Sequence, residues 1–450
     1  MIKKYCICLL LIVIPIFMFT GCSNKNNDKI YGGYSEVSLI IEKDDNYYIS
    51  GYSGGRYFTD ILDYQKTKAF YLNYYGEEVL MISIDCVGLT SKYVEEIRKS
   101  LNFKFPVNVV STHTHAGVDT MGLWGPVGIN GKNEEFMNQL VIAAVTAAKQ
   151  AYNNKTTGSL TFGQVETNGI LRDSRDPVVY DNNIYQIRFI SDTTNIGTRL
   201  VFFGAHAESL GGSNTKISAD FPSVMADVIK EETNDNMLYF PGAIGGLICT
   251  TWFDEENIEN NLKITGTALA NYVLNITEGD ISKGSLKQTT VNFKIRLDNT
   301  IFLYYKFLGI LENKITKSIF NNTYYVNTEL SIIQIDNITI ALIPGEIFPE
   351  LVWGGTITNP DIENPKSNPD SLISIASKYN IDNLIIVGLA NDEIGYIVPP
   401  SDFMVDSKYP YVVSVRDSKG ENHYEETMSV GESCAIKISK AFEKCLKRIK

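Results

Sequence analysis

The chain has 450 residues, 44% of them hydrophobic and 11% aromatic, enough to bury a large core as one big α/β domain or two smaller ones. Its formal charge of −12 disfavours nucleic acid and offers no attraction to anionic lipid headgroups. Cys86, Cys249, Cys434 and Cys445 are scattered without CxxC spacing, so neither a disulfide framework nor a cysteine zinc site is suggested.

Lys3 and Lys4 open a targeting segment, Tyr5 to Phe19 is almost unbroken apolar sequence, and Thr20-Gly21-Cys22 closes it. That ending resembles a bacterial lipoprotein signal, and the run is short for a membrane span. Residues 1–21 are therefore expected to be a signal peptide, with Cys22 lipidated and residues 22–33 forming a polar tether. Losing Lys3 and Lys4, the only charges before Cys22, takes the net charge from −12 to −14. Membrane contact would then run through Cys22, placing residues 34–450 outside the cytoplasm, anchored in the bacterial cell envelope.

Beyond the tether, strands alternate with amphipathic helices, the signature of an α/β fold with mixed sheets flanked by helices. Strands are expected at Glu78–Ile84, Val107–Ser111, Gly158–Val165, Asn183–Ile190 and Thr198–Ala205. Helices are expected at Ser91–Leu101 and Glu134–Tyr152, and another opens at Asp220-Phe221-Pro222, where Pro222 suits a first turn. Met237–Phe240 reads as a short strand, followed by helices near Ile264–Leu274 and Phe302–Ile319. Strands resume at Ser331–Ile335, Ile338–Ile343 and Asn383–Leu389, and Ile438, Phe442, Cys445 and Ile449 follow helical spacing in the tail.

Two of the chain's four histidines stand in Ser111-Thr112-His113-Thr114-His115-Ala116-Gly117, directly after an apolar strand. Residues i and i+2 of an extended segment share a face, so both imidazoles can aim at one point. A third, His206, ends the run Leu200–Ala205. Two further strands lead into Pro344-Gly345-Glu346 and Asn391-Asp392-Glu393-Ile394-Gly395-Tyr396. Sites in α/β folds form where strand C-termini open into loops. Two imidazoles, a carboxylate and a phenolate or water would suit Zn2+, with room left for a nucleophile. Read blandly, the rings merely cap strand ends by hydrogen bonds, and the glycine-rich exits are ordinary turns.

These residues resemble the neutral/alkaline non-lysosomal ceramidase family, zinc amidases that cleave an N-acyl sphingoid base, over the amidase domain from about Tyr34 onward. The histidine run matches that family's Thr-His-Thr-His-Ser/Ala-Gly signature. The resemblance implies zinc ligation by His113, with His115 beside the reacting amide. It likewise implies zinc ligation by His206, in Gly204-Ala205-His206, by Glu346 in Pro344-Gly345-Glu346, and by Tyr396 in Gly395-Tyr396-Ile397-Val398. His423-Tyr424-Glu425 is similar to the family's later Tyr-Glu pair, which would turn Tyr424 toward substrate. Arg175 in Arg175-Asp176-Pro177-Val178-Val179-Tyr180 matches a weaker polar-contact motif. Three features depart from the pattern: the loop Gly245-Gly246-Leu247-Ile248-Cys249 lacks the family's aspartate or serine, the spacing from Tyr396 to Tyr424 is longer, and no C-terminal β-sandwich is expected.

The reading that follows is a ceramidase-like zinc hydrolase of an N-acyl amide bond, in ceramide or a related N-acyl lipid. Zinc would lower the pKa of a bound water to about 7, giving hydroxide at neutral pH. Tyr424 or Arg175 would then stabilise the oxyanion and His115 would relay a proton to the leaving amine. Two alternatives remain: a tethered binding lipoprotein without turnover, or an envelope amide or ester hydrolase with a different substrate.

Overall fold

A computed structural model describes residues 29–42, 47–254, 256–281, 284–356 and 359–450. The expected signal peptide, Cys22 and the tether up to residue 28 lie outside them. The larger of two main sheets has nine strands. Eight of these are β1 (Ile30–Ser38), β2 (Lys66–Tyr74), β3 (Glu77–Ile84), β4 (Val107–Ser111), β5 (Thr156–Glu166), β6 (Asn183–Ser191), β7 (Gly197–Phe203) and β8 (Asn236–Pro241). They lie in the order β8-β7-β6-β5-β1-β2-β3-β4, and the short strand Gly279–Asp280 pairs with β5. The sheet is mixed: β3–β4 and β7–β8 are parallel, and the other pairs along this order are antiparallel. β1 takes up Ile30–Gly33, the end of the segment expected to be tether, by pairing them with β2.

The second sheet orders β9 (Leu286–Arg296), β10 (Tyr324–Ile335), β11 (Ile338–Leu342) and β12 (Asn383–Val387) side by side, with β11–β12 parallel. The two sheets face each other across one apolar layer. Phe70, Leu72, Phe189, Leu200 and Phe240 from the first meet Ile333, Ile340, Leu342, Ile385 and Val387 from the second. Helices cover the outer faces. α1 (Ser91–Leu101) and α2 (Glu134–Asn153) pack on the β1–β4 half of the large sheet, and α3 (Phe221–Thr233) and α4 (Ile258–Leu274) on the β7–β8 half. The C-terminal helix, Cys434–Ile449, buries Ile438, Phe442, Cys445 and Ile449 against the small sheet, as the tail's spacing predicts. The result is a four-layer helix–sheet–sheet–helix stack, in which β7, covered on both sides, is apolar along most of its length and buried throughout.

The helix expected over Phe302–Ile319 is shorter. Asn299 caps it by accepting from the Ile301 and Phe302 backbone N–H groups, and it runs only Thr300–Phe307. Gly309, at φ 69°, breaks the helical path. Asn313 then turns inward to donate to Glu393 O, 2.8 Å, and Ile315–Lys317 pairs with β10 as a strand. Among the described residues no helix is long and apolar enough to cross a membrane.

The loops that follow β4, β7, β8, β11 and β12 come together and interlock. Ser111 N donates to Leu389 O and Gly388 N to Pro241 O. Small residues permit this approach: a Cβ on Gly345 would lie 2.5 Å from Gly395 O, and one on Gly242 3.0 Å from Gly204 Cα.

Candidate metal centre and active site

β4 ends at Ser111, and two residues on His113 takes a left-handed backbone, φ 65°. That conformation is uncommon outside glycine and marks a position held by its surroundings. The hold is visible: His113 N donates to Cys86 O, and its ring Nδ1 donates to Val87 O at 2.5 Å. β7 ends at Phe203, two residues before the sequence pattern suggests, so His206 stands in a loop. Its N donates to Ile248 O, and its Nδ1 reaches the same carbonyl at 2.8 Å. Both rings thus spend Nδ1 on a backbone carbonyl, which leaves Nε2 as the free lone pair.

Those two lone pairs converge on Glu346, carried by the short strand Glu346–Ile347 after β11. His206 Nε2 lies 3.1 Å from Glu346 Oε2 and His113 Nε2 3.4 Å from it. His115 Nε2 is 3.1 Å from His113 Nε2. Tetrahedral zinc with bonds of about 2.0–2.1 Å sets its ligand atoms roughly 3.3 Å apart, so these spacings suit such a centre. All four side chains are buried. Burial pushes the Glu346 carboxyl up, but His113 and His206 more than offset this and hold it well below the usual carboxylate range. The His206 imidazole is raised, since Glu346 and Glu208 outweigh its desolvation. Nitrogen and oxygen donors with tied second nitrogens are a fitting set for zinc. The same distances admit His115 as a further ligand, so geometry alone does not separate ligand from proton carrier there.

Tyr396 pairs beside Glu346 in a two-residue parallel ladder, Glu346↔Tyr396. Its phenol is raised well above the usual value by burial, then by Glu346 and Tyr424. The Tyr424 ring meets it edge-on, with centroids 5.9 Å apart. His113, His115, Glu346, Tyr396 and Tyr424 all line one cavity of about 190 Å³, whose other walls include Val87, Met121, Leu123, Trp124, Phe302 and Leu311. His206, fully buried, reaches the cluster from behind. The Trp124 wall is set by Asp119, whose carboxylate accepts from the Met121, Gly122 and Trp124 backbone N–H groups.

Arg175 does not line the cavity. Its guanidinium pairs with Glu425, lies 3.6 Å from Glu421, and donates to Asn422 O at 3.0 Å. It braces the segment bearing Tyr424 from outside. Asp417, Glu421 and His423 also cluster there, engaged with Arg175, Glu426 and Asn359.

Three cavity neighbours escape the sequence reading as individual participants. Glu393, in the run leading to Tyr396, lines the cavity, and its carboxyl is raised well above its ordinary range by burial and by Glu346. Tyr52 stands edge-on to His115, with ring centroids 5.3 Å apart. Glu208 lies 3.5 Å from His115 Nδ1. A signal for Glu208 exists: it follows His206 at i+2, the spacing that links His115 to His113.

No family model and no curated protein matches this chain. Solved structures do. A neutral ceramidase from Pseudomonas aeruginosa superposes with a TM-score of 0.70 at 13% identity, covering 94% of this chain and 74% of that one. A ceramidase complexed with C2 gives 0.70 at 13%, covering 94% and 75%. This chain therefore has the mixed α/β fold of those ceramidases, the fold class expected from its strand–helix pattern.

Proposed function

We propose that this protein is a zinc-dependent hydrolase of an N-acyl amide, acting on ceramide or a related N-acyl lipid. One observation carries the reading: two imidazoles locked at Nδ1 by backbone carbonyls converge with a buried carboxylate, 3.1–3.4 Å apart, on the floor of an apolar-walled cavity. The fold shared with the ceramidase structures supports it. His113, His206, Glu346 and Tyr396 would hold the metal, which when bound supplies Lewis acidity for activating water and polarising a carbonyl.

The chain's own groups supply the rest. Val87, Leu123, Trp124, Phe302 and Leu311 give an acyl chain an apolar bed that excludes bulk water. Tyr424, protonated because burial and then Glu425 push its phenol well above the usual value, can donate a hydrogen bond to the developing oxyanion. Arg175 keeps that tyrosine's segment in place through Glu425 and Asn422. His115, with Nε2 toward the cluster, can pass a proton to the leaving amine. Lipidated Cys22 would keep the enzyme beside envelope lipids.

The test is release of fatty acid from N-acyl lipids by the purified, zinc-loaded protein. Release should stop on chelation and be abolished by His206→Ala. A zinc-replete protein that cleaves no amide or ester across a broad acyl panel would be a tethered binding protein instead.

A further inference from the structure

Beyond the strand ends, the loops after β4 and β7 pair briefly as a parallel ladder. Thr114 sits opposite Ala207, and His115 N donates to Ala207 O at 3.0 Å. That register sets His115 against Glu208. The next segment joins the same ladder, with His206 opposite Cys249. Tyr52 arrives from a third loop, its backbone carbonyl accepting from Trp124 Nε1 at 2.9 Å.

Three donors consequently face one buried carboxylate. The Tyr52 hydroxyl donates to Glu208 Oε2 at 2.9 Å, the Cys249 thiol donates to Oε1, and His115 Nδ1 stands 3.5 Å from Oε2. His115 Nδ1 is buried and makes no hydrogen bond, and the Glu208 carboxylate 3.5 Å away is the charged group it faces. The contrast with its neighbours is informative. His113 and His206 give Nδ1 to the backbone carbonyls of Val87 and Ile248, whereas His115 turns Nδ1 to a side-chain carboxylate.

We propose that Glu208 is a positioning residue for His115: it holds the Nδ1–H tautomer and so aims the Nε2 lone pair at the reaction centre, while Tyr52 and Cys249 fix the carboxylate. A carboxylate behind an imidazole fixes both ring orientation and tautomer, and it does so whether Nε2 carries a proton or meets a metal. Cys249 thereby has a task in the loop that lacks an aspartate or serine: its thiol is pushed well above the usual value by burial and then Glu208, and stays a neutral donor. The catalytic half of this inference rests on the hydrolase reading; the tautomer half does not.

The experiment is therefore split. In the zinc-loaded, 15N-labelled protein, imidazole nitrogen spectra assigned by comparison with His115→Ala should show His115 protonated at Nδ1. His115 found as the Nε2–H tautomer overturns the proposal without any substrate. Glu208→Ala should shift His115 toward a mixture of tautomers, leave the His113 and His206 signals and the zinc content unchanged, and lower kcat by about 10–100-fold with little change in KM. Glu208→Asp, which keeps a carboxylate, should recover part of that loss. Adding Glu208→Ala to His115→Ala should cost nothing further, because the two act as one unit. Additive losses, or wild-type kcat in Glu208→Ala where His115→Ala is impaired, would refute the positioning role. Absence of hydrolysis in every variant and in the wild type would count against the hydrolase reading, and the spectra would still decide the tautomer.

Discussion

Glu350 offers a quantitative test of the buried charges around Arg175. It lies in the short helix Pro349–Trp353, is 4% exposed, and its Oε2 has no hydrogen-bond partner. Burial raises its pKa to about 8, with Asp173 and Asp402 adding to the effect and Arg175 opposing it. In the unfolded chain the group titrates near 4.5. The folded state therefore keeps a proton that the unfolded state releases, and stability is full below about 4.5 and falls as pH rises toward 8. At about 1.4 kcal/mol per pKa unit the ceiling is roughly 5 kcal/mol. Local water entry on ionisation would cut this to about 2–3 kcal/mol. With roughly 2.1 cal/mol/K per residue over the roughly 410 described residues, that is a melting shift of about 3 °C. Glu350→Gln removes the titration. Compared by calorimetry in chelator, so that metal affinity does not enter, wild type and variant should differ in how far Tm falls between pH 5 and pH 8.5, with the variant losing about 3 °C less. Parallel falls in the two proteins would show that Glu350 ionises freely in the fold and that its burial beside Asp173 and Asp402 does not hold the proton.

The metal reading predicts about one zinc per chain by elemental analysis, with most of it lost in His113→Ala and in Glu346→Ala, and thermal stability lost with it; stoichiometric zinc in both variants would contradict the site. His115→Ala should retain zinc yet lose ~100-fold or more in turnover, and loss of metal there but not in His113→Ala would exchange the two roles. Cys22→Ser should end incorporation of labelled fatty acid at the N-terminus and release the protein from membranes, and continued labelling would exclude Cys22 as the anchor.

The elements legible in the sequence are those whose pattern is local. The helices Ser91–Leu101 and Cys434–Ile449 show continuous amphipathic stripes, and β4 and β7 are mainly apolar runs that end two and three residues before their histidines. β1 and β2 escape because tyrosines, glycines and lysines interrupt their pattern, and pairing with each other, of β1 with β5 and of β2 with β3, makes them strands. The face-to-face stacking of the sheets is likewise invisible in sequence, since Ile340 and Phe70 are 270 positions apart yet share one core layer. At the site, His113, His115 and His206 stand out because imidazoles are scarce in this chain, and Glu346 because it follows Pro344-Gly345 at the exit of an apolar strand. Arg175 shows the limit: its motif is plain, but only the fold reveals that its charge is directed to Glu425. Glu208 and Glu393 are hidden by the abundance of acidic residues, 52 in all, and become distinctive only through burial.

If Cys22 carries a lipid, its chain would join the domain at Ile30, the opposite end of the β1–β4 strands from the end that delivers His113, and this would constrain how the proposed enzyme meets lipid. Ile30 opens β1 opposite Tyr74, at the β2–β3 hairpin end, while Val37 lies opposite Thr67 and through it Ile84, the end from which β4 delivers His113. Seven residue steps along β1 cover about 23 Å. Residues 22–29 fully extended reach at most about 28 Å. A lipid on Cys22 can therefore reach back to the cavity end only if the tether runs nearly straight along the sheet. An upright domain would present the cavity away from its own anchor. A membrane-resident N-acyl lipid therefore requires the domain to lie on its side, with tether and cavity rim on one surface. A substrate shed into the surrounding space requires no such tilt. Were residues 1–21 removed, the charge of −14 would give no electrostatic help in lying down on anionic headgroups. Apolar contact would have to supply it, and Phe307, 73% exposed on the helix whose Phe302 lines the cavity, is an apolar side chain free for such contact.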